Sequence, residues 1–365
     1  MDNNHKYCVI MAGGFGSRFW PTSTLSVPKQ FIDFFGSGKS LLRQTFERAS
    51  KIFPEGHIIV TTHRSYTHLV QEQLPELDPQ CILHEPAFKG TAPSMAYAAY
   101  FLRSIDPEAN IVVLPADQLV FGEDSYTETM EKALEYVATH PHLVTIGIRA
   151  TYPETRYGYI QIGETESPEP GFEEFHKVKT FTEKPQEEFA RMFVESGDFF
   201  WNTGLFAWNV NTIIDTMHPL LPEMMESFDH VFAGERSRDE RRADVYRLYE
   251  SFPNISVDHT VIEKAPNMYC QAGSFGWSDV GRWEDVYRES GKDTQGNVVQ
   301  GGECDFYNSR NNLVLIPKDK IAIVKDLEGF LINVTDNVIL VCPKDEDDIR
   351  NCRNSLMLKH GDKYM

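Results

Sequence analysis

Five residues among the first thirty, Gly13, Gly14, Gly16, Arg18 and Lys29, have the types and spacing that handle phosphate. Glycines keep Cβ atoms out of a loop, so its backbone N–H groups can close on an anion. Arg18 offers a planar fork to phosphate oxygens, and Lys29 a mobile point charge. Together they suit a triphosphate. Two rival phosphate motifs fail. The dinucleotide pattern G-x-G-x-x-G needs a third glycine for close helix–strand packing, and Phe19 stands there. Gly38-Lys39-Ser40 ends like a P-loop, but Asp33 holds its first glycine position and no apolar strand leads in. Ser40 reads more simply as the cap of a helix over Leu41–Lys51.

Elements must carry these groups. The apolar run Tyr7–Met11 reads as a strand buried on both faces, which delivers the glycines at its carboxyl end. Apolar runs at Ile58–Thr62, Gln80–His84, Ile111–Leu114 and Leu143–Ile148 alternate with helical patterns at Ser65–Leu74, Thr91–Ser104 and Ser125–Thr139. That alternation predicts an α/β fold, a Rossmann-like and mostly parallel sheet with helices on both faces. Alternating segments at Pro153–Ile162 and Lys177–Thr182, around the Pro-rich loop Ser167–Gly171, predict an antiparallel excursion. A helix from Pro185 to Ser196 follows. Phe199–Trp208 is dense in aromatics and reads as core, and the charge run Glu235–Arg242 as a solvated helix surface. Tyr269–Ala272 reads as a strand. After Ser290, Gly291, Gly296, Gly301 and Gly302 mark a boundary, which divides the chain into domains 1–290 and 291–365. Short segments at 312–316, 321–324, 330–334 and 338–341 make the second part β-rich, with a last helix from Asp345 to about Leu358.

Ala12-Gly13-Gly14-Phe15-Gly16-Ser17-Arg18-Phe19-Trp20-Pro21, followed by Pro28-Lys29-Gln30-Phe31, resembles the signature of sugar-1-phosphate nucleotidylyltransferases. The Trp-Pro pair and the PKQF ending resemble the mannose-1-phosphate guanylyltransferase branch. Thr24 departs from the arginine usual in that branch. Other segments match in family order. Glu85-Pro86 with Thr91-Ala92-Pro93 resembles the guanine-contacting segment, and Leu114-Pro115-Ala116-Asp117 the metal-binding segment, with Gln118 in place of histidine. An Asp just past the end of a central strand sits where open α/β sheets bind ligands. Pro153–Ile160, Val178–Pro185 and Trp201–Phe206 resemble the sugar and sugar-phosphate segments, as does Ser256–Lys264. In the third of these, Thr203 and Leu205 replace serine and methionine.

The resemblance implies an enzyme that makes GDP-mannose and pyrophosphate from GTP and mannose 1-phosphate, with Mg²⁺ as cofactor. It implies catalytic roles for Arg18 and Lys29, and nucleotide contacts at Ala12, Gly13, Gly14, Gly16, Glu85, Pro86, Thr91 and Ala92. Gly158, Glu183, Lys184, Asn202 and Glu263 would meet the sugar phosphate, Asp258 supporting Glu263, and Asp117 and Asp279 the metal. It also implies a homodimer, a partial β-helix in 291–365, and a short form without the cupin-like isomerase domain of longer relatives. Two alternatives stay open: a related enzyme using another nucleotide or hexose 1-phosphate, or a non-catalytic subunit that senses GDP-mannose.

Composition bounds these readings. The chain has 365 residues, 41% apolar, with 35 basic and 54 acidic side chains for a net charge of −19. Such a field repels polyanions, so nucleic acid is not an expected partner. The polar N-terminus has no apolar signal region, and no apolar run approaches the ~20 residues of a membrane span. The six cysteines lack CxxC spacing and fit reduced thiols, so the expected location is the cytoplasm.

Overall fold

The computed structural model describes residues 3–14, 16–163, 169–344 and 349–361. Two compact units divide the chain. One comprises Met1–Gly13, Thr45–Ala116 and Val120–Trp277, the other Gly14–Gln44, Asp117–Leu119 and Ser278–Met365. The strands are β1 (Lys6–Met11), β2 (Ile58–His63), β3 (Ile82–Glu85), β4 (Asn110–Pro115), β5 (Leu119–Phe121), β6 (Leu143–Arg149), β7 (Gly158–Ile162), β8 (Phe175–Glu183), β9 (Phe199–Asn209), β10 (Met268–Gly273), β11 (Gly276–Ser278), β12 (Val298–Tyr307), β13 (Leu313–Lys325), β14 (Phe330–Val334) and β15 (Ile339–Pro343). The helices are α1 (Leu41–Ala49), α2 (Thr67–Gln73), α3 (Thr91–Ile105), α4 (Glu123–Thr139), α5 (Glu187–Ser196), α6 (Val210–Met217), α7 (Pro222–Phe232), α8 (Arg238–Tyr249), α9 (Trp283–Glu289) and α10 (Ile349–His360).

In the first unit, nine strands form one sheet in the order β3-β2-β1-β4-β9-β6-β10-β8-β7. Its first half follows the sequence: β1 runs parallel to β2 and β4, and β2 parallel to β3. Cys8, Val9 and Ile10 are fully buried, as a strand covered on both faces requires. The second half corrects the expectation of a mostly parallel sheet. β9 lies antiparallel to both β4 and β6, so the sheet is mixed. β9 pairs β4 through residues 206–209 and β7 through residues 199–202. Gly204, at φ 72°, and a register shift opposite Thr145–Gly147 bend it between the two. With β6–β10, β10–β8 and β8–β7 also paired, β9, β6, β10, β8 and β7 close into a five-stranded ring.

In the second unit, β12, β13 and β14 run parallel and β15 returns antiparallel. The segments expected at 312–316 and 321–324 are one strand, and β12 was hidden by its own glycines. A Cβ on Gly301 would lie 1.9 Å from the Ile316 carbonyl oxygen, and one on Gly302 2.2 Å from that of Lys320. The bulge of β13 presses on them, so the pair marks a close approach and not a boundary loop. Side chains 15 residues apart join successive turns: Asn312 Nδ2 donates to Asn297 Oδ1 at 3.1 Å and to the Leu327 carbonyl at 3.0 Å. Phe330 N donates back to Asn312 Oδ1 at 2.9 Å. The core of this unit gathers Phe19, Trp20, Phe34 and Leu41 with Trp283, Val298, Leu313, Leu331 and Ile349. The residues after the glycine loop thus pack on the C-terminal strands. Ser167, Pro168 and the expected helix start at Asp345 lie outside the described residues, and no described helix is long and apolar enough to cross a membrane.

Asn312 is fully buried, so truncating it strands a carbonyl and an N–H in the interior. Asn312→Ala should cost about 3 kcal/mol, read as a lower urea midpoint. An unchanged midpoint would mean that the stacked asparagines contribute nothing.

Candidate functional site

The second unit brings together four of the residues singled out above. Lys29 is only 6% exposed at its side chain, and its Nζ donates to Asp117 Oδ2 at 2.9 Å and to the Asp279 backbone oxygen at 2.8 Å. Arg18 donates through Nη1 to the Gly281 carbonyl at 3.5 Å. Burial pushes the Asp279 carboxyl up, Lys29 pulls it back, Asp117 adds to the rise, and Arg18 again opposes it. Gly16 makes this convergence possible. It sits at φ 54°, and a Cβ there would fall 2.4 Å from Lys29 Cβ. Gly14 is held through its carbonyl, which accepts from Gln30 Nε2 at 2.7 Å. Phe15 lies outside the described residues. Thr24, at the departure from the family pattern, closes a tight turn by accepting from Val27 N at 3.1 Å.

Sequence reasoning missed two supports of Asp279. Val280 adopts φ 49°, a strained conformation for a β-branched residue, and carries no sequence signal. Asp285 is fully buried, and its Oδ2 accepts from the N–H groups of Gly281 and Arg282 at 2.8 and 3.0 Å. An acid three residues past a helix cap is a readable capping signal. Could the set hold a divalent cation? Among the described residues no group of three or more His, Cys, Asp or Glu gathers as a ready cage. Two hard carboxylates with the remaining positions left to phosphate oxygens and water is, however, how Mg²⁺ is usually held. The residues fit that ion.

The first unit carries the remaining candidates in two sets. In one, Glu85 is 6% exposed, accepts from the Ser94 hydroxyl, and would lie 3.9 Å from a Cβ on Gly13. Burial raises its carboxyl to about 7, with the Ser94 hydroxyl pulling it down. Ala12 spends both backbone groups on β2, its N–H on the Thr61 carbonyl and its oxygen on the Thr62 hydroxyl. Pro86 is buried beside Glu85. Thr91 Oγ1 accepts from Val257 N at 2.9 Å, and Ala92 N donates to the Ile255 carbonyl at 3.2 Å. Those two groups are therefore committed within the protein. The N–H groups of Gly13 and Gly14 take no partner among the described residues.

The other set lies on the strand ring. Asn202 on β9 stands opposite Gly158 on β7, and Gly158 opposite Glu183 on β8. Gly158 leaves room there, since a Cβ would fall 2.7 Å from Glu183 Oε2. Lys184 pairs with Glu183 and adopts φ 48°, which turns the chain out of β8. Asn202 accepts from the Thr145 hydroxyl at 2.9 Å and donates to Asp258 Oδ1 at 3.1 Å. No hydrogen bond joins Glu263 to this set among the described residues. Glu263 accepts from His259 Nδ1 at 2.9 Å, and Asp258 is the carboxylate that reaches Asn202.

Comparison with known proteins agrees in kind. The nucleotidyl transferase family model matches residues 7–296. A mannose-1-phosphate guanylyltransferase of Sinorhizobium fredii is 32% identical over 91% of this chain and 64% of its own length. One from Salmonella muenchen is 33% identical over 92% of this chain and 70% of its own. The chain thus spans about two thirds of the length of these relatives. The crystal structure of mannose-1-phosphate geranyltransferase from Thermus thermophilus superimposes with a TM-score of 0.83 at 28% identity, over 96% of this chain and 99% of that one.

The raised Glu85 carboxyl gives a pH signature. Its native value, about 7, exceeds the 4.5 of the free group, so it contributes stability below pH ~4.5 that is lost as pH rises through 7. The full swing is roughly 3 kcal/mol. Glu85→Gln should be more stable than the parent above pH 7 and converge with it at acid pH, as urea unfolding at each pH would measure. Parallel pH profiles would mean that Glu85 ionises normally.

Proposed function

The chain belongs to the nucleotidyl transferase family, and from that premise we propose that it transfers GMP from GTP to mannose 1-phosphate, yielding GDP-mannose and pyrophosphate. The observation that carries this reading is the convergence of Lys29, Asp117, Asp279 and Arg18 in one compact unit. A phosphate oxygen of mannose 1-phosphate attacks the α-phosphorus of GTP. The α–β anhydride bond breaks as the new bond forms, and the electron pair leaves on pyrophosphate. No covalent enzyme intermediate is needed, so catalysis is positioning plus charge stabilisation. Lys29 and Arg18 meet the charge that gathers on the leaving pyrophosphate. Enzymes of this kind generally use a divalent metal; Asp117 and Asp279 would hold Mg²⁺, which supplies Lewis-acid stabilisation of the phosphates.

Other residues orient the substrates. Gly13 and Gly14 offer N–H groups to the nucleotide phosphates, with Ala12 and Gly16 shaping that loop. Glu85, Pro86, Thr91 and Ala92 wall the base. Lys184 takes the sugar's phosphate. Glu183, Asn202 and the space at Gly158 take its hydroxyls, with Glu263 assigned to the rim. We assign catalysis to residues 1–290, on the doubly covered nucleotide-diphospho-sugar fold, and support to 291–365. The exposed Ile321, Ile323, Ile339 and Val341 give a homodimer a surface to use. A sensor of GDP-mannose would have no use for the Lys29–Asp117–Asp279 convergence, which favours the enzyme.

Pyrophosphate release across a grid of nucleotides and sugar 1-phosphates tests the reading. The highest kcat/KM should fall on GTP with mannose 1-phosphate, and maximal turnover on another pair would replace it. Lys184→Ala should raise KM for mannose 1-phosphate with little change for GTP. Asp117→Asn and Asp279→Asn should each stay folded and lose on the order of a hundredfold in rate. Because both serve one ion, the double variant should be little worse than the poorer single one. Full activity in either folded single variant would remove that residue from the metal.

A further inference from the structure

The first unit holds a cavity of about 570 Å³ that none of the residues assigned above lines. Its floor is apolar, with Tyr97 and Phe101 from α3 and Phe232 from the end of α7. Its wall is basic, with Arg238, Arg241 and Arg242 from the first turns of α8. The sequence run Glu235–Arg242 reads as a solvated helix surface, and its residues are exposed apart from the half-buried Arg241, but aromatic rings lie beneath two of its arginines. Arg238 lies over the Phe101 ring at 4.7 Å and Arg241 over the Phe232 ring at 5.5 Å. Both guanidinium groups are thereby held in place over carbon.

The charge balance of the cavity is unusual for a chain of net charge −19. Arg242 pairs with Asp239, the one acid on the wall, at 3.0 Å. Glu240 is occupied by the backbone and hydroxyl of Ser237, and Arg236 by Asp244. Arg238 and Arg241 pair with no carboxylate among the described residues. Their fixed contacts are the Gln80 side-chain oxygen at 3.3 Å and the Gly234 carbonyl at 3.2 Å. Arg241 Nε is buried without a hydrogen-bond partner. The imidazole of His84 is pushed down first by burial and then by the charges of Arg242 and Arg238. Arg238 is exposed and Arg241 half-buried, and neither is neutralised by a carboxylate, so both stay open to charge-assisted hydrogen bonds from an anion.

We propose that this cavity is a second ligand site, for a small organic anion that joins a planar ring to a phosphate or carboxylate. The ring lies against Tyr97, Phe101 and Phe232, and the anion takes the open edges of Arg238 and Arg241. The volume suits such a ligand, since small-molecule sites usually measure some 300–1,000 Å³.

Calorimetric titration with 1-naphthyl phosphate tests it. The parent protein should bind the probe, and bind 1-naphthol and inorganic phosphate each about tenfold more weakly or worse, because each offers half of the chemistry. Arg238→Gln with Arg241→Gln should weaken probe binding about tenfold or more. Ser104→Trp, on the exposed rim of the cavity, should block it without touching either arginine. A near-native thermal midpoint confirms that each variant is folded, and the rim variant decides should the double arginine variant not fold. Probe binding of parental affinity in the folded variants would overturn the proposal, as would 1-naphthol binding as tightly as its phosphate.

Discussion

A buried ammonium ion organises the second unit. Taking the Lys29 charge out of water costs several kcal/mol unless oxygen atoms replace the lost hydration. Those oxygens come from Asp117 and Asp279, 88 and 250 residues further along the chain. Gly16 must lack a side chain for the loop to reach Lys29 at all, and the ammonium also stands 5.7 Å from the centre of the Phe19 ring. Phe19 in turn packs edge-on to Trp283 at 5.0 Å and against Phe34 at 4.7 Å. The polar and the apolar ends of one loop thus share an anchor in the stretch 279–283. Chemistry and core are one arrangement here.

Strand β9 plays the matching part in the first unit. Its bend at Gly204 lets one strand pair β4 at one end and β7 at the other, which closes the ring. Asn202 lies on the side of that bend where β7 pairs. Its side-chain oxygen is committed to the Thr145 hydroxyl and to the Gly204 N–H, its nitrogen to Asp258. A side chain fixed at both ends has no rotamer freedom left to lose when a ligand arrives.

How much of this was legible depended on the distance over which each signal acts. The run Tyr7–Met11, the glycines and the two cations are local, and the structure builds strand, loop and buried lysine from them. Asp117 could be marked by its place after a strand, but its meeting with Lys29 could not, because no periodicity encodes a contact across 88 residues. Resemblance supplied Asp279; it could not supply Val280, whose residue type argues against the backbone it adopts. The ring was hidden for a related reason. Apolar runs announce strands but not which partner, or which direction, closes the sheet. Glycine misled at Gly301 and Gly302, where crowding by β13 imitates the composition of a loop. The charge run that carries Arg238 and Arg241 is solvated as its composition suggests, but composition does not reveal that aromatic rings lie beneath it.

The stacked asparagines of the C-terminal strands impose a quantum on length change. Asn297 and Asn312 stand 15 residues apart, and Phe330, whose N–H meets Asn312, lies 18 further on. Each interval is one circuit of the coil. Losing or gaining two or three residues inside a circuit would throw every later asparagine and every buried aliphatic out of phase with the turn beneath. Gain or loss of a whole circuit keeps the stacking and alters only the height of the pile. Length variation among homologous C-terminal segments should therefore arrive in steps of about one circuit, or else be confined to the outward corners such as Lys318–Lys320, where β13 already bulges.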